Sequence, residues 1–210
     1  MTIATANDSF TYKSPRGDTE RPADLVGAIP WVGGAQQAST NPAPVVTTHF
    51  NVGGTATTRP ANTTAYAAND SISNNGTAGS VTATSVTVSD LNDAPVDLTE
   101  ILLDTDDTGP GTAGIQIRCH IFNADPTASS GVVGGDNAAY SNKRNGWLGS
   151  FSGTMRAFSD GSKGVLVPDE GTLRIANPVS GAKTLYYQLQ TLGAFTPSAN
   201  STVFTQIGRA

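Results

Sequence analysis

Charge is scarce in this chain. Asp, Glu, Lys and Arg together make up 14% of its 210 residues, against roughly 25% in ordinary soluble domains. Only three of the acids are Glu, at positions 20, 100 and 170. A chain poor in Glu, Lys and Leu lacks the material for long amphipathic helices. The net charge is −5, and the only adjacent basic pair is Lys143-Arg144. A duplex-binding surface needs clustered cations, so nucleic acid is not an expected partner. A single cysteine, Cys119, rules out an intrachain disulfide framework and any Cys-rich zinc site. No run approaches the ~20 apolar residues that span a bilayer, so no membrane partner is expected. Residues Met1 to Phe10 lack the basic and apolar regions of a secretory signal, so synthesis in the cytosol is expected. Five Asn-X-Ser/Thr sequons, at Asn7, Asn62, Asn69, Asn75 and Asn200, follow from the Asn and Thr content and carry no glycosylation argument here.

What fills the chain instead is Gly, Thr, Ser, Asn and Ala, a mixture suited to short strands joined by turns. Residues 1–44 stand apart. They contain Pro15, Pro22, Pro30, Pro42 and Pro44 and the pair Gly33-Gly34, with isolated apolar groups at Phe10, Tyr12, Leu25, Val26, Ile29 and Trp31. No period of 2 or 3.6 runs through them, which predicts an extended arm without a core of its own. The cluster Ile29-Pro30-Trp31-Val32 is wasted in solvent, so the arm is expected to order by docking on a neighbour.

From Val45 the strand signals begin. Strands are expected over residues 45–51, 63–72 and 80–89, the last with a phase slip between Ser85 and Val86 that predicts a bulge. The apolar run Leu98 to Asp104 predicts a buried strand or one helical turn. Ile115, Ile117, Cys119 and Ile121 alternate with Gln116, Arg118 and His120, a half-buried strand with both faces assigned. Residues 125–146 read as a long loop with one helical turn near 140–145. Further strands are expected near 152–158, 164–168, 172–176, 183–191 and 202–208. This count of about eight to ten strands predicts an all-β fold, a single β-sandwich, jelly-roll-like, over residues 45–210 with the N-terminal arm before it.

The chemistry-bearing residues are few. His49 and His120 both lie in strand patterns. Cys119 sits on the apolar face with Ile117 and Ile121, where a thiol acts as a small hydrophobe. Asp104, Asp106 and Asp107, in Asp-Thr-Asp-Asp-Thr-Gly, are the one candidate for a metal, since alternating carboxylates before a glycine can wrap calcium. The far-end Glu of an EF-hand is absent, and the same run is an ordinary polar turn. The glycines of Gly131-Val132-Val133-Gly134-Gly135 lack a following Lys-Ser/Thr and read as turns. No catalytic motif appears, so neither an enzyme nor a cofactor is expected.

Three stretches carry a resemblance. They are Thr58-Arg59-Pro60-Ala61-Asn62-Thr63-Thr64-Ala65-Tyr66-Ala67-Ala68-Asn69-Asp70, then His120-Ile121-Phe122-Asn123-Ala124-Asp125-Pro126-Thr127 with Asp136-Asn137-Ala138-Ala139-Tyr140, and Lys183-Thr184-Leu185-Tyr186-Tyr187-Gln188-Leu189-Gln190 leading to Ala194-Phe195-Thr196-Pro197. In order and spacing they resemble a family of tailed-phage virion structural proteins. Ser141-Asn142-Lys143-Arg144-Asn145 departs from the more helical, acidic stretch that family carries there. The resemblance implies a virion structural protein. A small β-sandwich with a long N-terminal arm suits a capsid decoration or cement protein that acts through protein–protein contact, with the major capsid protein or other virion proteins as partners and a homo-oligomer, a trimer, as the expected form. Phe10, Tyr12, Ile29 and Trp31 are then the expected partner-binding anchors of the arm. The alternatives are a tail, baseplate or collar component, or a carbohydrate-binding receptor-recognition module using Trp147, Tyr140 and Phe151. As local structure, Arg59-Pro60 reads as a turn entering the first domain strand, and Asp136-Asn137 as turn bonds that pin the long loop.

Overall fold

A computed structural model describes residues 11–12, 21–22, 50–52, 56–127, 133–141, 146–172, 175–176 and 178–209. The chain divides into two units, Met1–Thr47 and Thr48–Ala210. In the first, β1 (Thr11–Tyr12) pairs antiparallel with β2 (Arg21–Pro22), Thr11 opposite Pro22 and Tyr12 opposite Arg21. His49 and the arm anchors Phe10, Ile29 and Trp31 lie outside the described residues, and Tyr12 is placed only by that pairing.

The second unit is built on a twelve-stranded antiparallel sheet. Its strands are β3 (Phe50–Val52), β4 (Ala56–Thr58), β5 (Ser71–Ile72), β6 (Thr84–Thr87), β7 (Val96–Thr105), β8 (Gln116–Phe122), β9 (Trp147–Thr154), β10 (Arg156–Phe158), β11 (Gly161–Pro168), β12 (Ile175–Ala176), β13 (Thr184–Thr191) and β14 (Thr202–Arg209). The path runs β3-β14-β7-β11-β9-β8-β13-β5, with β4 beside β14, β6 beside β13, β10 beside β11 and β12 beside β7. The all-β class read from the sequence is therefore right, and the strands form one curled sheet around one core.

Alternation along each strand supplies that core. Ile117, Cys119 and Ile121 of β8, Leu185, Tyr187 and Leu189 of β13, Leu166 of β11, and Val203 and Ile207 of β14 all point inward. In β7 the inward set changes phase, from Val96 and Leu98 to Ile101 and Leu103. A bulge causes the change: Gly208 of β14 stands opposite Glu100 and Arg209 opposite Leu98, leaving Thr99 as the extra residue. A second bulge, between Ile121 and Phe122, sets Gly149 and Trp147 opposite them and leaves Leu148 unpaired. The bulge expected at Ser85 is not there. Thr84–Thr87 pairs regularly with Tyr187–Thr184.

The far ends of the path meet through side chains. Thr57 of β4 and Thr84 of β6 share a 2.5 Å hydrogen bond. The Tyr187 hydroxyl lies among Thr205, Thr57 and Thr84, whose hydrogen bonds partly offset its burial. The Thr57–Thr84 bond thus joins β4 to β6, which share no backbone ladder among the described residues.

Two elements depart from the expected pattern. The stretch 63–72 was expected as a strand but forms a loop, with isolated bridges at Tyr66 and Asp70, before the short β5. A short helix, α1 (Gly109–Ala113), follows the Asp104–Asp107 turn; Pro110 lies in its first turn and Gly114 ends it at φ 61°. A Cβ on Gly111 would stand 2.2 Å from the backbone nitrogen of Ala157, so only glycine lets α1 lie against β10. We predict that Gly111→Ala lowers unfolding free energy by about 1–3 kcal/mol, measured by urea denaturation; an unchanged midpoint would mean the backbones separate freely.

Candidate functional site

The three stretches that carry the resemblance are far apart in sequence and converge in space. Residues 66–72 run between two other segments. On one side Tyr66 N donates to Phe195 O at 2.9 Å, and Asn69 N and Thr191 N complete bonds with Thr191 O and Asp70 O at 2.8 and 2.9 Å. On the other, Ser71 N donates to Ala138 O at 2.8 Å, Asn137 N to Ser71 O at 3.0 Å and Tyr140 N to Asn69 O at 2.9 Å. Tyr66 stacks on Phe195 with ring centroids 4.9 Å apart.

At their junction lies a buried charge. The Asp136 side chain is 0% exposed and the Arg59 side chain 2%. Arg59 Nη2 donates to Asp136 Oδ2 at 2.9 Å, while Asp136 Oδ1 accepts from the Tyr66 hydroxyl at 2.5 Å and from Ser73 N at 3.0 Å. The Arg59 guanidinium also donates through Nε to the Tyr66 hydroxyl and through Nη1 to Ser198 O and Ser201 Oγ. Burial, and then the Asp136 carboxylate, hold the Tyr66 phenol far above its usual range, so it remains a donor. Arg59-Pro60 does not enter a strand as expected: it follows β4, and the chain runs on as a loop with isolated bridges at Tyr66 and Asp70. The Asp136 side chain does not make a local turn bond either; it is the acceptor at the centre of this node. Asn137 does pin the loop, donating from Nδ2 to Thr64 O at 3.1 Å.

The loop glycines serve the same packing. Gly134 has φ 79°, and a Cβ on Gly135 would stand 2.2 Å from Gly76 O. They read as close-packing positions, as expected of turns. No helical turn forms at Tyr140 and Ser141; residues 142–145 lie outside the described residues.

The loop covers one outer face of the sheet. His120, placed by alternation on the side away from Cys119, is buried there rather than solvated. Its ring stacks on Tyr140 at 4.3 Å between centroids. Nδ1 accepts from Trp147 Nε1 at 3.3 Å, which leaves Nε2–H to donate to Gln190 Oε1 at 3.0 Å. Burial lowers the His120 pKa from 6.5 to about 4, with the Gln190 bond opposing the shift, Arg118 adding to it and Asp169 opposing it. Beside it, Arg118 Nε donates to Asp169 Oδ2 at 3.0 Å, and the same carboxylate accepts from Ser150 and Ser152. Both His120 nitrogens and both Asp169 oxygens are therefore occupied.

Of the three aromatics of the carbohydrate reading, Phe151 is in the central core, Tyr140 is stacked on His120, and Trp147 is partly exposed. The structure does not join them into a platform, because Phe151 and Trp147 point to opposite faces of β9. Cys119 is fully buried, and burial pushes its thiol pKa up, away from reactivity.

The structure does not bring the calcium candidates together either. Asp104 pairs with Lys163 at 3.0 Å. Asp106 Oδ1 accepts from Thr202 N at 2.7 Å. Asp107, buried, accepts from Gly109 N at 2.9 Å and from Ser198 N at 2.8 Å. Each carboxylate is drawn to a different partner because the strand geometry separates their side chains. Among the described residues no cluster of three or more metal-ligating side chains forms.

No family model, curated protein or solved structure matches this chain.

Sequence reasoning missed the Arg59–Tyr66–Asp136 node as a unit. A signal was present: in a chain short of charge, Arg59 and Tyr66 share the first resembling stretch and Asp136 opens the second half of the next. Nothing local in the sequence says that they touch. We predict that Asp136→Asn, which strands the Arg59 charge, destabilises by about 3–5 kcal/mol, read from chemical denaturation, and that Tyr66→Phe costs about 1–3 kcal/mol. An Asp136→Asn protein as stable as the parent would show that the ion pair contributes nothing net.

The His120 shift gives a second prediction. Its folded pKa lies below its unfolded one, so between pH 6.5 and about 4 the unfolded chain binds the extra proton. The stabilisation is fully present above pH 6.5 and is lost as pH falls toward 4, by on the order of 3 kcal/mol. Replacing His120 by Gln should flatten the fall in melting temperature over that window. Equal pH profiles for parent and variant would refute the assignment. At neutral pH, a chelator should leave the melting temperature unchanged, because the Asp104–Asp107 carboxylates are held by the protein itself.

Proposed function

We propose that this protein is a structural component of a tailed-phage virion, a capsid decoration or cement protein that strengthens the head by protein–protein contact. The observation that carries the reading is the convergence of the three resembling stretches on one buried node. Segments that merely chanced to look like the family need not share a neighbourhood. These three interlock through Arg59, Tyr66, Asp136 and Phe195.

In this reading the curled sheet is a flattened, jelly-roll-like sandwich, supported by inward rows from β14 and β7 that share one core with those of β8 and β13. The mechanism is mechanical. A rigid domain sits at the particle surface, and the arm reaches neighbouring subunits through Phe10, Tyr12, Ile29 and Trp31. Each contact is modest, and many copies in a homo-oligomer, a trimer, add avidity. The major capsid protein is the partner, and the virion is the location.

The test is a chain lacking residues 1–44. It should fold, with the same thermal transition as the domain in the full chain, and lose attachment to particles by at least tenfold in a co-sedimentation assay. Retained attachment would remove the arm from the mechanism. Labelled full-length protein found on the tail by electron microscopy would assign it to the tail, baseplate or collar instead.

A further inference from the structure

The outer faces of the sheet are finished differently. Over β8 and β13 the loop of residues 133–141 covers the sheet. Over β7, β11 and β10 the surface is open and apolar. Val165 and Val167 of β11 and Phe158 of β10 are each more than half exposed, and Leu102 of β7 joins them. On the solvated face of an antiparallel sheet, alternation ordinarily delivers polar side chains. Here Leu102, Phe158 and Val165 line an open groove of about 420 Å³, rimmed by Thr154, Arg156 and Lys163. Lys163 is paired with Asp104, whereas Arg156 makes no ion pair among the described residues. An exposed apolar strip with a free cation at its rim has the make-up of a docking site.

The chain itself contains a segment of matching chemistry. Leu25-Val26-Gly27-Ala28-Ile29-Pro30-Trp31-Val32 has no charged or hydrogen-bonding side chain except the indole of Trp31, and Glu20 and Asp24 precede it. Forty-seven residues precede the domain. The 15 residues from Gly33 to Thr47 reach about 50 Å when extended, more than the roughly 40 Å width expected of a domain this size. An arm of that reach can bridge to a neighbouring domain, the arrangement that many copies side by side on a shell require.

We propose that the groove between β7, β11 and β10 receives residues 24–32 of a second copy, with Trp31 and Ile29 against Phe158 and Val165 and Asp24 near Arg156. This rests on the virion reading and names one partner of the arm: its own neighbour. Phe10 and Tyr12 remain for the other virion proteins.

The experiment uses the full chain, purified, without particles. One preparation carries Trp31→Cys and a second carries Val165→Cys. Cys119 is buried, so the engineered thiols are the only reactive ones. Mixed under mild oxidation, the two should give a disulfide-linked heterodimer, at least tenfold more than a control mixture with Leu91→Cys, a residue 71% exposed and outside the groove. The parent should also self-associate with rising concentration, and Phe158→Glu should weaken this at least tenfold with an unchanged circular dichroism spectrum. A heterodimer yield equal to the control overturns the proposal. So does a parent that stays a 21.5 kDa monomer at all concentrations, or cross-linking seen only when both cysteines are in one chain. Failure here leaves particle attachment untouched, and a full chain that forms the heterodimer yet does not co-sediment with particles would overturn the virion reading alone.

Discussion

The Arg59–Asp136 ion pair lies where water cannot reach it, and the rest of the domain is arranged so that this is tolerable. A buried carboxylate and guanidinium each cost several kcal/mol to desolvate. Asp136 recovers that cost by accepting from Arg59, Tyr66 and Ser73, and Arg59 by donating to Asp136, Tyr66, Ser198 and Ser201. Those partners come from four separate parts of the chain. Satisfying one charge pair therefore dictates where the loop of residues 61–70, the loop of residues 133–140 and the turn before β14 must lie. Apolar side chains of similar volume would pack as tightly, but they would not specify which segment meets which.

The strand interiors were legible in the sequence because they depend on a local period. Ile117, Cys119 and Ile121, and likewise Leu185, Tyr187 and Leu189, sit inward as their alternation requires. What was not legible depended on distant partners. Thr63 to Ile72 has strand-like composition, yet its backbone bonds go to residues 138–140 and 191–195 in an irregular ladder, which nothing within the segment announces. His120 was placed on the correct face, and whether it is satisfied inside or solvated there is decided by the loop that roofs that face, which the strand itself does not announce. The short helix at Gly109–Ala113 was hidden by a glycine-rich composition that reads as turn. The Asp104–Asp107 run was recognised as a turn as well as a metal candidate, and the partners that decide between them, Thr202, Ser198 and Lys163, lie far along the chain.

The two outer faces divide the labour of the sheet. The face of β8 and β13 is polar in sequence and dry in the fold, its His120, Gln188 and Gln190 buried beneath the 133–141 loop. The face of β11 and β10 is apolar in sequence and open. The first is complete within the chain. The second leaves Phe158, Val165 and Val167 each more than half exposed.

The position of β14 governs the order of assembly. It is the last strand in the sequence, yet it lies between β7 on one side and β3 and β4, the first strands of the domain, on the other. Ser198 and Ser201, just before it, also serve the Arg59 node. During synthesis the earliest strands of the domain must wait for a neighbour about 150 residues downstream (from Phe50–Val52 to Thr202–Arg209). At roughly 5–20 residues per second that delay is on the order of ten seconds, during which β3 and β4 are unpaired edges. Their brevity makes such edges poor templates for stray pairing. The same geometry makes closure of this sheet wait on β14, which must be free before β3 and β4 can pair.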